Sequence, residues 1–127
     1  MDFGPYPSTL GLEWVVDAYE CAPERLRAQD AIVGLVDRLV DELALHPLGA
    51  PLVHVFPGEG GITAMLLLSE SHLAVHTFPE FQIATISLYC CRKRAPIDWE
   101  RTLAECLSSR SASVRTLERG GERPCSR

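Results

Sequence analysis

Apolar positions recur in this chain with a period near two in three stretches and with a helical period in two others, and three further short segments read as strands. Residues 12–20, "LEWVVDAYE", alternate imperfectly but are rich in β-formers and end at "CAPE", which predicts a first strand. From Asp30 the period changes. Ile32, Leu35, Val36, Leu39, Val40 and Leu43 follow the spacing of one helix face, with Asp30 expected as N-cap and "HPLGAP" as the end. Gly34 weakens that helix by about 1 kcal/mol relative to alanine, which one apolar face absorbs. "PLVHVF" (51–56) predicts a second strand and "PGEGG" the turn after it. "ITAMLLL" begins a third strand, "HLAVHTF" alternates as a fourth segment up to Pro79, and "IATISLYCC" (83–91) alternates again. Asp98 is placed to cap a helix that buries Trp99, Leu103, Cys106 and Leu107, and "SVRTLE" (113–118) predicts a short last strand.

The expected order is β-α-β-β-β-β-α-β, with too few helices to cover both faces of a sheet. That predicts an α/β protein of the α+β type: a two-layer sandwich, mostly antiparallel, with its helices on one face. The 127 residues are read as a single domain, 1–127, with a flexible tail at 119–127.

Composition narrows the function classes. Hydrophobic residues at 46% and charged residues at 23% are near globular averages, so a packed core is expected. A net charge of −5 without a basic stripe argues against a nucleic-acid partner. No apolar run approaches the ~20 residues of a membrane span, and "MDFGPYPSTLG" has no apolar core of a signal peptide, so a cytoplasmic protein is expected. The five cysteines lack zinc-type spacing and are expected as reduced thiols, with no metal site. Phe78, Phe81 and Tyr89 are expected in the core, and Arg92–Arg94 in a solvated loop.

One stretch resists this reading. In "LLLSESHLAVHTFPEF" (66–81) a carboxylate and an imidazole interrupt an apolar run. Alone, Ser69–His72 fits a plain surface turn between two strands. A Glu-Ser bond also has a chemical use. The Ser71 hydroxyl can attack the Glu70 carbonyl and convert the amide to an ester. A base then takes the Ser71 α-proton, and β-elimination releases the upstream chain, leaving a dehydroalanine that hydrolyses to a pyruvoyl group. This needs a nucleophile, a base and oxyanion donors, for which Ser71, His72 or His76, and Ser69 or Thr63 are candidates.

"SESHLAVHTFPE", with Cys91 twenty residues after Ser71, resembles the prokaryotic small form of the S-adenosylmethionine decarboxylases, which are pyruvoyl enzymes. "GITA" (61–64), "GLEWVVDAYEC" and "VRTLERG" are similar to other segments of that family, so the resemblance covers roughly residues 11–120. It implies self-cleavage between Glu70 and Ser71 into chains 1–70 and 71–127, with Ser71 becoming a covalent pyruvoyl cofactor. It further implies His76 as the processing base, Thr63 in place of a processing serine, and Cys91 as the proton donor after decarboxylation. Glu80 matches a carboxylate that binds the substrate ribose, and Phe56 lies near an adenine-stacking aromatic. The implied reaction converts S-adenosylmethionine, held through a Schiff base, to its decarboxylated form and CO2 for spermidine synthesis, in a homodimer of cleaved protomers.

The chain departs from the family beside the cysteine: Ser87 stands for an aspartate, Cys90 for a threonine and Arg92 for a glycine. These changes keep arginine or ornithine open as substrates. An unprocessed regulatory partner is the reading from another class. Geometry adds a condition, because on a straight strand Ser71 and His76 lie ~16 Å apart and on opposite faces. A sharp bend or a second protomer is required to bring them together.

Overall fold

The computed structural model describes residues 9–91, 94 and 96–121. Six strands form one sheet: β1 Gly11–Tyr19, β2 Leu52–Val55, β3 Ile62–Leu67, β4 Ser71–Phe78, β5 Ile83–Cys90 and β6 Ser111–Arg119. Their spatial order is β2-β3-β4-β5-β1-β6, and every neighbouring pair is antiparallel. The first strand therefore lies between the last two, paired along most of its length with each. Helices α1 Pro23–Leu26, α2 Gln29–Glu42 and α3 Trp99–Leu107 accompany the sheet, and a 3-10 turn, Pro79–Phe81, joins β4 to β5. The expected two-layer α+β sandwich is the fold found.

Strand alternation divides the sheet cleanly. Val16, Ala18, Ile62, Ala64, Leu66, Leu73, Val75, Ala84, Ile86, Leu88 and Cys90 are buried on one face, against Ile32, Leu35, Val36, Leu39, Trp99, Leu103 and Leu107 of the helices. Across strands, Leu73 opposes Leu88 and Val75 opposes Ile86, so the core layer is built from cross-strand apolar pairs. Truncating such a fully buried leucine to alanine costs about 2–5 kcal/mol. A hydroxyl is built into this layer as well. The buried Thr77 Oγ1 accepts from Ile62 N and donates to Leu26 O, both at 2.8 Å, and so ties α1 to two strands. The opposite face, with His54, Thr63, Met65, Leu67, His72, His76, Phe78, Thr85 and Tyr89, has no helix of the described residues over it.

Several expectations are corrected. Helix α2 starts at Gln29 with Ala28 as N-cap and no side-chain cap, so Asp30 lies in the first turn, where a negative charge suits the helix dipole. Asp98 caps α3 as expected, its carboxylate accepting from Arg101 N at 3.1 Å. The last strand is longer than "SVRTLE", because β1 offers a full-length edge to pair with. It also takes in Arg119, the first residue of the expected tail, while residues 122–127 lie outside the described residues. Phe78 and Phe81 are exposed at 41% and 70%, not core. Phe78 has the parity of the open face, and Phe81 sits on the 3-10 turn. Tyr89 is half-buried on the open face and stacks on His72, with ring centroids 5.7 Å apart. Gly11 makes room for it, since a Cβ there would meet the Tyr89 hydroxyl at 2.4 Å.

Candidate active site

Leu68, Ser69, Glu70 and Ser71 form the tight connection of the β3–β4 hairpin. Leu68 N donates to Ser71 O at 2.9 Å, which leaves Ser69 and Glu70 at the tip. The turn is anchored sideways as well, by Ser69 N donating to His46 O at 2.9 Å and by a bridge between Pro47 and Leu68. The Glu70–Ser71 bond is thus held at the mouth of the sheet rather than within a strand.

Two features of this turn bear on chemistry. The Cys91 thiol, which follows β5, lies 2.7 Å from the Glu70 carbonyl oxygen and donates to it. The register explains the approach: Ser71 opposes Cys90, so the next residue along reaches the turn. The Ser71 hydroxyl is buried and has no hydrogen-bond partner. A buried hydroxyl without a partner costs roughly 1–3 kcal/mol. Here it stands next to the carbonyl that its attack requires, and that carbonyl already has a donor on its oxygen. A cavity of about 620 Å3 opens here, lined by Leu67–His72, Glu13, Tyr89 and Arg119. Its charged wall is internally paired, with Arg119 Nη1 2.6 Å from Glu13 Oε1.

A second cavity, of about 390 Å3, lies at the other end of β4. Phe56, Thr63, His76, Phe78 and Glu80 line it together with Pro57, Glu59, Gly61 and Thr77. Thr63 opposes His76 across the β3–β4 pair, and its hydroxyl lies 3.0 Å from His76 Nδ1, which fixes the ring. Phe56 is held from behind by His54, whose ring meets it edge-on with centroids 4.5 Å apart. Gly61 allows the wall to close, because a Cβ there would come within 2.7 Å of Thr77 O.

The sequence-read residues therefore fall into two groups. Glu70, Ser71 and Cys91 meet at the hairpin tip; Thr63, His76, Glu80 and Phe56 meet around the other cavity. Within one chain the groups stay apart. β4 is continuous from Ser71 to Phe78, Ser71 belongs to the buried face, and His76 belongs to the open one. The sequence reading missed Phe78, Glu13, Tyr89 and Arg119 as lining residues. Counting parity along β4 from His76 finds Phe78, but no local signal joins Glu13 to Arg119, which are 106 positions apart.

The family model described as S-adenosylmethionine decarboxylase matches residues 12–120. The chain belongs to this family. Among curated relatives, the S-adenosylmethionine decarboxylase proenzyme of Oceanobacillus iheyensis is 31% identical over 119 residues, covering 87% of each chain. That of Pyrobaculum islandicum is 32% identical over 73 residues, covering 58% of each, so this match spans little more than half of that protein. The crystal structure of the adenosylmethionine decarboxylase from Aquifex aeolicus superposes with a TM-score of 0.75 at 24% identity, covering 95% of this chain and 99% of that one. This last likeness establishes the fold of the S-adenosylmethionine decarboxylases for the chain.

The departures from the decarboxylase pattern fall in different places. Cys90 is fully buried in the helix-facing core. Ser87 is on the open face, opposite Ala74 and Val15. Arg92 lies outside the described residues.

Proposed function

We propose that this chain is a cytoplasmic proenzyme that cuts its own Glu70–Ser71 bond and then decarboxylates S-adenosylmethionine, supplying the aminopropyl donor for spermidine. The carrying observation is the contact of the Cys91 thiol with the Glu70 carbonyl, beside an unpartnered Ser71 hydroxyl. In the first step Ser71 Oγ attacks the Glu70 carbonyl carbon, and the Cys91 thiol stabilises the charge that grows on the oxygen. A base at His76 takes the Ser71 α-proton, while the Thr63 hydroxyl at 3.0 Å fixes its ring. The residues at the hairpin fit a pyruvoyl group, because Ser71 is its precursor and the 620 Å3 cavity leaves room for a substrate amine beside it. When formed, that group supplies an electron sink for loss of the substrate carboxylate. Cys91, freed from Glu70 after cleavage, delivers a proton to the substrate carbon. Phe56 and Glu80 face the other cavity with an aromatic ring and a carboxylate, which suit a base and a ribose hydroxyl pair.

The His76 that serves Ser71 comes from a second copy of the chain. On β4 the two residues are ~16 Å apart and on opposite faces, so no rotamer joins them. The open face supports a homodimer, for it exposes Leu52, Met65, Leu67, Phe78 and Leu117 with no helix of the described residues over them. Facing copies across a two-fold axis bring the hairpin tip of one near the histidine cavity of the other, twice per dimer.

Intact mass spectrometry tests the processing. The expected result is fragments 1–70 and 71–127, the second blocked at its N-terminus and reducible by borohydride; Ser71→Ala remains a 14.0 kDa chain. Decarboxylation is then compared on S-adenosylmethionine, arginine and ornithine, with the first expected as substrate. An uncleaved wild-type chain after long incubation would mark a regulatory partner instead.

A further inference from the structure

A small cavity of about 80 Å3 adjoins the hairpin tip and is lined by His46, Ser69, Glu70 and Arg94. Ser69 and Glu70 also line the large cavity that holds Ser71, so the turn is the partition between the two. Arg94 supplies a permanent positive charge. Its Nη1 donates weakly to Ala44 O at 3.4 Å, whereas its Nε is withdrawn from solvent and has no partner. An arginine N–H so placed is held at a cost unless some state of the protein supplies an acceptor. The other wall is rigid, since the 46–48 segment is bonded to the turn through His46 O and to β3 through Leu48 N. The space is large enough to admit a carboxylate.

We infer that Arg94 receives the carboxylate born at Glu70 when the chain cleaves itself. This rests on the processing reaction proposed above. In the elimination step a base removes the proton from Ser71 Cα and the Cβ–Oγ bond breaks. The electron pair stays on Oγ, which becomes the second oxygen of a main-chain carboxylate on Glu70. No oxidant or further reactant enters. A full negative charge thus appears at the residue that lines the Arg94 cavity, and a guanidinium already in place stabilises that leaving group as it forms. Docking of the new terminus on Arg94 also draws Glu70 away from the Cys91 thiol, which occupies its carbonyl before cleavage. Arg94 thereby couples processing to release of the proton donor.

The test is a time course of cell-free-translated full chain followed by intact mass, with and without hydroxylamine, which cuts the ester but not the amide. Arg94→Met is expected to slow the appearance of fragments about 10-fold or more. Because ester formation precedes the leaving-group step, the hydroxylamine-sensitive fraction should rise as the fragments fall. Arg94→Lys, which keeps the charge, should recover part of the rate. Glu70→Gln removes the side-chain carboxylate yet still yields a terminal one, so the dependence on Arg94 should persist in that background. The inference is overturned by wild-type cleavage in Arg94→Met, or by loss of the dependence in Glu70→Gln. It is also overturned if ester and fragments fall together in both Arg94 variants alongside a lowered thermal midpoint, the mark of a purely structural role. A wild-type chain that never cuts at 70/71 would instead bring down the processing proposal itself.

Discussion

The Cys91 thiol donates to the Glu70 carbonyl. In the proposed reaction it has two uses, as a donor to that oxygen before cleavage and as a proton source afterwards. Cys91→Ala should therefore slow the cut by about 10-fold or more through the missing oxyanion donor, and abolish turnover in chains that do cleave. A mass time course combined with a CO2-release assay checks both effects, and wild-type values for either would contradict the dual use. Cys21 makes a contrasting case. Burial pushes its thiol up, only partly offset by hydrogen bonds from Ser109 and the Ala84 backbone. The folded chain thus holds that proton more tightly than the unfolded one, and the stability gained is present below the ordinary thiol range. It is lost as pH rises from that range through the higher value of the folded thiol. Urea midpoints at roughly pH 7 and roughly pH 9.5 should separate more in wild type than in Cys21→Ala; equal separation would contradict it. Ser71, His76 and Cys91 were singled out through the family resemblance, whose motif sets their spacing; the structure places Ser71 and Cys91 at the hairpin tip and His76 at the other cavity. Phe78 and Tyr89 were misread because an aromatic on an alternating strand passes for core unless its parity is followed from a neighbour of known face.

At the scale of elements, the hairpin holds the Glu70–Ser71 bond and a cap holds the start of α3. Helix α3 begins just after the segment that carries Cys91 and Arg94, and Asp98 fixes its first turn by accepting from Arg101 N. Asp98→Ala should cost about 1 kcal/mol of folding stability, read as a shift in the denaturant midpoint with unchanged slope. An unshifted midpoint would show that the cap carries no weight. All six strands and both long helices were legible in the sequence, three strands from alternation, three from short segments set off by turns, and the helices from their apolar period. The four residues of α1 and the three of the 3-10 turn were not, because they are too short to display a helical period. Strand order was equally hidden. Alternation names the faces of β1 but not its neighbours, and its place between β5 and β6 follows from long-range pairing alone.

At the scale of the molecule, one chain contains every group the proposed reaction uses but keeps them in two places. Both ends of β4 are furnished: one with Glu70, Ser71 and Cys91, the other with Thr63, His76, Phe56 and Glu80. The straight strand keeps Ser71 and His76 apart within one protomer, and the exposed apolar face is where we propose that a second copy docks. Complementation tests this most directly. Ser71→Ala and His76→Ala chains of distinguishable mass are co-expressed, each being inert alone. In the mixed dimer, Ser71 of the His76→Ala chain meets an intact His76 from its partner. The account predicts that fragments 1–70 and 71–127 appear from the His76→Ala chain only, and only in the mixture. Cleavage of His76→Ala expressed alone, or no cleavage in a demonstrated mixed dimer, would contradict it.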